Sequence, residues 1–540
     1  MTDYVIMPKS DYQGACDAIR AKTGKTDLIK SGDMATEIEE IKTGGGGSSA
    51  EEKDVNFYDY DGTLLHSYTV SEAQALTELP ELPTQEGLIC QGWNWTLEDI
   101  KSYDCGMDVG ATYITDDGKT RLYISIDQTE RTSVTLCFSA TPTNGVTVDW
   151  GDGSPTETTA GTHTYANTGD YIITLEPAEG CTFFLGSSDR SVIGGCSTST
   201  TTKDISARML KKVEIGRDAH LRSYSLYQCK TLVSITIPNG AAYGSSNKGV
   251  FYGCALLSCL ILPNTLKGTG ENYARDCTHL SLISIPKSVT SIGQYSFQNA
   301  YALTSIKMPS VTNIGYGILT NCEGLTSVLL SDKLTNLNES TFSGCGSLKY
   351  YKIPDTVVSI GKNAFFYNYA LQSIELPDNV KSIGTGAFHG TGIRDIKIPN
   401  GVTSIGSSTF YQCMALQTVE IPDTVTSIGS DAFNNCILLS SITIPEGVPT
   451  INASTFYGCY TLTSVKLPSS VTSIKATAFS GCYWVKYYDF TLHTAVPSLA
   501  NKSAFTDIPA DCEIRVPSAL YEEWKAATNW STYADQIVAV

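Results

Sequence analysis

The stretch "IPDTVTSIGSDAFNNCILLSSITIP", from Ile421 to Pro445, holds one full period of the pattern that decides the fold. Prolines recur at 286, 309, 354, 377, 399, 422, 445 and 468, a spacing of 22 or 23 residues with one step missed between 309 and 354. Self-similarity at that period marks a solenoid, in which each unit buries its apolar face against the next. The columns of the repeat have separate jobs. Phe297, Phe342, Phe365, Phe388, Phe410, Phe433, Phe456 and Phe479 form one stack, and three residues after most of them comes Cys345, Cys413, Cys436, Cys459 or Cys482. The same place holds Ala300 and Asn368 in other units, which points to small packing residues rather than disulfides.

This text closely resembles the BspA-type leucine-rich repeat from Leu210 to near Trp484, about half the chain. About twelve units, stacked at strand spacing, give a rod roughly 55 Å long. Two residues before the prolines stand Lys352, Glu375, Lys397, Glu420, Thr443 and Lys466, so neighbouring strands present opposite charges in a self-neutralising ladder. The turn beside the phenylalanines differs. Tyr252, Phe366, Tyr411 and Tyr457 directly follow the ring column, and Tyr301, Tyr369, Tyr460 and Tyr483 lie three residues further on. These eight aromatics are the candidate ligand-binding residues, suited to stacking on sugar rings or docking on a protein. The competing reading is that they cover the edges of the core, and both readings can hold for different units.

The fold expected is mainly β and multidomain. Residues 1–43 read as a helical anchoring module, with Tyr12, Cys16 and Ile19 on one helix face and Met34, Ile38 and Ile41 on another, followed by a Gly/Ser linker at 44–54. Residues 55–115 open with "FYDYDGTLL", in which Asp59-x-Asp61-Gly62-Thr63 spells the nucleophile loop of haloacid-dehalogenase phosphatases. That chemistry needs a parallel sheet with crossover helices, and the segment is too short and β-rich to hold one, so Asp61-Gly62 reads as a hairpin turn. The phrase Pro-Thr-x-x-Gly before Gly92-Trp93 resembles small β-grasp repeats of bacterial and phage surface proteins. Residues 116–178, with Trp150-Gly151-Asp152-Gly153 and His163-x-Tyr165, resemble the PKD domain, an immunoglobulin-like sandwich; Asp149 and Asp152 read as turn formers in preference to calcium ligands. A connector at 179–208 leads to the solenoid at 209–487, and 488–540 read as a C-terminal cap whose helix carries Leu520 and Trp524 after the cap residue Ser518.

A net charge of -18 argues against a nucleic-acid partner, and no apolar run is long enough to insert in a membrane. The six histidines lack metal-ligand spacing, and "TGKTD" at Thr23–Asp27 has Ile19 where a phosphate-binding loop needs its first glycine. No catalytic residue, metal or cofactor is therefore expected, and the chain is read as a non-enzyme. "MTDYVIMPKS" shows no leader, so assembly in a cytosol is expected. The text of Tyr12 to Ile41 resembles the small helical module that opens tail-associated proteins of phages infecting gut Firmicutes, and that of 57–95, followed by the PKD-like segment, resembles the middle of such proteins. That resemblance implies a virion protein, a tail fibre or receptor-binding protein. Its partners would be a bacterial surface glycan or protein, other tail proteins through residues 1–43, and copies of itself. A bacterial cell-surface adhesin is the alternative, with a virion decoration protein or surface-glycan hydrolase third.

Overall fold

The computed structural model describes residues 54–129, 132–186, 190–194, 208–241 and 247–540. The helical module expected at 1–43 and all but the last residue of the linker at 44–54 lie outside them, as does most of 187–207. Met1–Lys53 and Asp54–Val540 separate as two units, and the second is mainly β.

Its chain begins with β1 (Asp54–Tyr58), β2 (Leu64–Thr69), α1 (Val70–Ala75), β3 (Leu88–Trp93), α2 (Leu97–Lys101) and β4 (Met107–Thr115). These form one four-stranded sheet in the order β2-β1-β4-β3, with β1 and β4 parallel. Asp61-Gly62 turns the antiparallel β1-β2 hairpin, the role the sequence predicts for it. Asp59 is buried beside that turn and accepts hydrogen bonds from the Tyr113 hydroxyl (2.6 Å), Gln85 Nε2 (2.7 Å) and the Tyr60 amide (2.7 Å).

Then follow β5 (Thr120–Ile126), β6 (Ser133–Thr135), β7 (Phe138–Thr141), β8 (Val146–Asp149), β9 (Thr162–Thr164), β10 (Gly169–Pro177) and β11 (Thr182–Leu185). Alternate residues of β5 are buried, as a strand with one face on a core requires. The two acidic turn residues are used locally. Asp149 accepts from the Gly151 amide at 2.9 Å, and Asp152 accepts from the Ser154 amide at 3.0 Å and contacts His163 Nε2 at 2.7 Å.

The solenoid starts at β12 (Leu210–Glu214), β13 (Ala219–His220) and β14 (Ser234–Thr236). β12 pairs antiparallel with β5 on one side and parallel with β14 on the other, giving one sheet ordered β14-β12-β5-β10-β8. A second sheet, β13-β11-β7, crosses the same boundary. The first solenoid strand therefore has no open edge, because the preceding unit covers it. β11 falls inside the stretch read from the sequence as a connector.

From Leu282–Ser284 onward each unit contributes two short parallel strands, such as Ser373–Glu375 and Ser382–Ile383, which pair in register with those of the preceding unit. Proline ends the first strand because it has no amide hydrogen for the ladder, and its carbonyl closes the next turn, as Pro422 does with the Val425 amide at 3.0 Å. The phenylalanines stack as expected: neighbouring rings from Phe342 to Phe479 lie 5.3 to 5.6 Å apart and within 24° of parallel. Phe505 extends the stack into the terminal segment. There Trp524, on α3 (Tyr521–Ala526), and Trp530 are buried against each other and against Phe490. Ser518 does not cap this helix; its hydroxyl donates to the Val540 carbonyl at 3.1 Å.

The four-stranded unit docks on the outward face of the early repeats. Asn94 Nδ2 reaches the Leu262 carbonyl and Ser284 Oγ, both at 2.9 Å; Trp95 Nε1 donates to the Ile285 carbonyl at 3.1 Å; Lys307 pairs with Asp108 at 2.9 Å, both side chains buried. The column two residues before the prolines is therefore in two parts. Thr236, Ile261, Ser284 and Lys307 are buried under this unit, and the charged positions from Lys352 onward are exposed. Along the exposed part Lys352 faces Glu375, and Lys397 faces Glu420, in register. Glu375 accepts a hydrogen bond from the Tyr350 hydroxyl at 2.6 Å.

Candidate functional site

The turn beside the ring column is held by backbone bonds from each unit to the next. Ser408, Phe410 and Gln412 donate their amides to the carbonyls of Ser430, Ala432 and Asn434 at 2.8 to 2.9 Å. This ladder needs left-handed backbone two residues before and two after the ring, and short polar residues such as Ser408, Asp431 and Asn435 usually supply it. Tyr224 (φ 63°), Tyr295 (φ 55°) and Tyr367 (φ 57°) hold the same conformation with a bulky ring. Strain of that kind persists where surrounding structure enforces it, and such positions concentrate at functional surfaces.

The residue after each stacked phenylalanine lies at the edge, half-buried in most units. Its column reads Phe366, His389, Tyr411, Asn434, Tyr457 through consecutive units. Phe366 lies 4.5 Å from His389, and His389 lies 4.7 Å from Tyr411, ring centre to ring centre. Tyr367 packs on Phe366 at 4.0 Å and on Tyr369 at 5.3 Å, and the Tyr369 ring is 66% exposed. Burial pushes the His389 pKa down, with a hydrogen bond to Gln412 opposing it, which favours the neutral imidazole. Two polar atoms of this column, His389 Nε2 and Asn434 Oδ1, are buried with no hydrogen-bond partner in the protein. They flank Tyr411 on either side.

The structure divides the eight aromatics selected from sequence. Phe366, Tyr369 and Tyr411 come together through Tyr367 and His389. Tyr252 belongs to a second group with Tyr227 at 5.2 Å, and the Arg275 guanidinium lies over both Tyr252 (5.6 Å) and Tyr295 (5.7 Å). Tyr460 and Tyr483 form a third, 5.2 Å apart. Tyr301 and Tyr457, both exposed, stand outside these groups. His389 is not among the eight aromatics selected from sequence, although it directly follows Phe388 in the same column; an imidazole there breaks a pattern of tyrosine and phenylalanine. Tyr367 and Trp484, the latter 61% exposed beside Tyr483, also stand outside that selection.

The family model described as "BspA type Leucine rich repeat region (6 copies)" matches residues 207–323, 247–368, 297–414 and 359–486, together just over half of the chain. Among solved structures, a leucine-rich repeat protein from Bacteroides ovatus is 23% identical, with a TM-score of 0.50 over 61% of this chain and 89% of its own. That likeness concerns the fold. A leucine rich cell surface protein from Faecalibacterium prausnitzii is 25% identical over 48% of this chain and 86% of its own, with a TM-score of 0.31. A leucine-rich repeat protein from Eubacterium ventriosum is 19% identical over 60% and 91%, with a TM-score of 0.39. No curated protein matches the chain.

Proposed function

Because the chain belongs to the BspA type leucine-rich repeat family, we propose that it is a recognition protein, and that the aromatic edge of its solenoid binds a bacterial surface. The observation that carries the reading is the group Phe366, Tyr367, Tyr369, His389 and Tyr411, rings in mutual contact with their outer members exposed. A ring needed only to cover the core has no reason to stand in solvent, as Tyr369 does at 66% exposure beside Tyr367. The finer reading places the protein on a phage tail, anchored through residues 1–43. It rests on the resemblance of the N-terminal text to phage tail-associated proteins, as do the β-grasp-like reading of 55–115 and the PKD-like reading of 116–178. A bacterial adhesin would use the same edge, and tail and lysis genes beside the coding sequence, or secretion genes, separate the two.

The test is binding of the full chain to intact cells of candidate gut bacteria, with Tyr411→Ala alongside. Saturable binding to some strain, lost in the variant, is the expected result. Failure of the full chain to bind any strain overturns the reading.

A further inference from the structure

Resting on that recognition reading, we infer that the edge column from Phe366 to Tyr457 is a track for an extended, neutral, β-1,4-linked glycan running along the solenoid axis with one sugar per repeat. The first ground is length. Successive units are set 5.3 to 5.6 Å apart by their stacked rings, and an extended β-1,4-linked pyranose chain advances by nearly the same amount per residue. Successive sugars of such a chain are turned over, so a ligand with that repeat keeps pace with the units and presents the same face at every second turn, the interval at which Phe366, Tyr411 and Tyr457 recur.

The second ground is the order of side chains. Phe366 and Tyr411 offer apolar ring surface for the C–H face of a pyranose, and Tyr457 does so two units further on. Between them stand His389 and Asn434, whose Nε2 and Oδ1 are the two atoms lacking a partner on either side of Tyr411. Asn434 is only 7% exposed and its amide donates to Asp431 (2.7 Å), so its carbonyl oxygen is left unpaired just beneath the surface, where a hydroxyl reaches it once the side chain turns outward. Orphaned polar atoms are rare in folded proteins, and their recurrence along one column leaves acceptors and donors there for a water or a ligand hydroxyl. Arg275 Nε and Gln298 Oε1 are orphaned at the same position of earlier units.

Charge selects the class of glycan. None of Phe366, Tyr411, Asn434 and Tyr457 carries a charge at neutral pH, and burial favours the uncharged form of His389. The whole protein, at -18, repels polyanions.

Titration calorimetry of the full chain with chito-oligosaccharides of two to six sugars, and with maltohexaose beside them, tests the inference. Affinity is expected to climb with each sugar until the column Phe366, His389, Tyr411, Asn434, Tyr457 is filled, then to level off. Maltohexaose, whose α-1,4 linkage curls the chain out of register, is expected to gain nothing from its length. Tyr411→Ala should weaken the pentamer by about tenfold while Tyr411→Phe preserves it. Should Tyr411→Ala lower the melting temperature, Tyr457→Ala takes its place, since that ring of the column is 40% exposed. A disaccharide binding as tightly as the pentamer, or maltohexaose binding equally well, overturns the register. Cell binding that persists without any saccharide affinity overturns the glycan and leaves the recognition reading standing, with a protein as ligand. Loss of both removes the two together.

Discussion

Single residues in the repeat are fixed by how closely one unit approaches the next. A Cβ added at Gly429 would lie 2.5 Å from the Ser407 amide nitrogen, while the Gly429 amide donates to the Ile405 carbonyl at 2.8 Å. Asn452 occupies the same column and reaches the Ile428 carbonyl with its side-chain Nδ2 at 2.7 Å, as Asn338 does with Ile314. Gly429→Ala should therefore lose about 1–3 kcal/mol in urea unfolding, and Gly429→Asn distinctly less, because the amide can replace the lost backbone bond. Equal losses would show that the asparagines are accidental. The cysteines answer to a similar need. Cys413, Cys436 and Cys459 donate their thiols to the carbonyls of Phe388, Phe410 and Phe433, each in the preceding unit, at 3.0 to 3.3 Å. Burial raises their pKa, to about 11 for Cys413 and about 12 for Cys322 and Cys482, from an ordinary 9.0. Above pH 9 the unfolded chain gives up thiol protons that the folded chain keeps until about 11 or 12. These thiols thus contribute full stability below pH 9, and it declines as pH rises through the next two to three units, by at most about 1.4 kcal/mol per thiol per pH unit. Replacing Cys413 by Thr, the residue that stands at 391 in the same column, should make this decline shallower in a series of melting curves.

At the scale of elements, the docked sheet alters what the outward face of the solenoid means. Gly110 on β4 approaches Ile261 so closely that a Cβ would stand 2.4 Å from Ile261 Cγ2. Beside it the Lys307–Asp108 pair is buried on both sides. Removing Lys307 deprives the buried Asp108 carboxylate of its cation, so Lys307→Ala should cost about 3–5 kcal/mol, whereas an apolar replacement of both partners should recover most of the loss. Urea denaturation of the single and double variants measures this. A loss under about 1 kcal/mol for the single variant would mean that water reaches the pair and that the unit is loosely held. The signal was present in the sequence: Ile261 and Ser284 stand where later units have Lys352 and Glu375. The alternation of charge begins only at Lys352, where the face is exposed, so the charge pattern alone does not mark the covered part.

For the whole molecule, the shared sheet β14-β12-β5-β10-β8 makes the solenoid and the unit before it one folded body. Cutting the chain ahead of Arg208 removes β5 and exposes the full ladder edge of β12 together with Val213 and Leu210, both buried in the intact protein. Residues 208–540 alone should therefore aggregate, and residues 54–540 should elute as a single compact species in size-exclusion chromatography. A soluble, cooperatively melting 208–540 fragment would show that the first repeat closes its own end. At the other end Phe505, Trp524 and Trp530 perform the same task with side chains, ending the ring stack under aromatic cover.

The sequence by itself determined the solenoid, the stacked phenylalanine column and the thiol positions beside it, and the hairpin at Asp61-Gly62. All of these rest on contacts between neighbouring units or neighbouring residues, and a fixed period writes such contacts directly into the text. Only the tertiary structure decided that β12 is shared between two units, that the four-stranded sheet covers Thr236 to Lys307, and that His389 completes the row from Phe366 to Tyr411. Those contacts join segments far apart in the chain, or join a residue type not sought to a column already known. No local period encodes them, since they depend on which surfaces remain to be buried once each unit has formed.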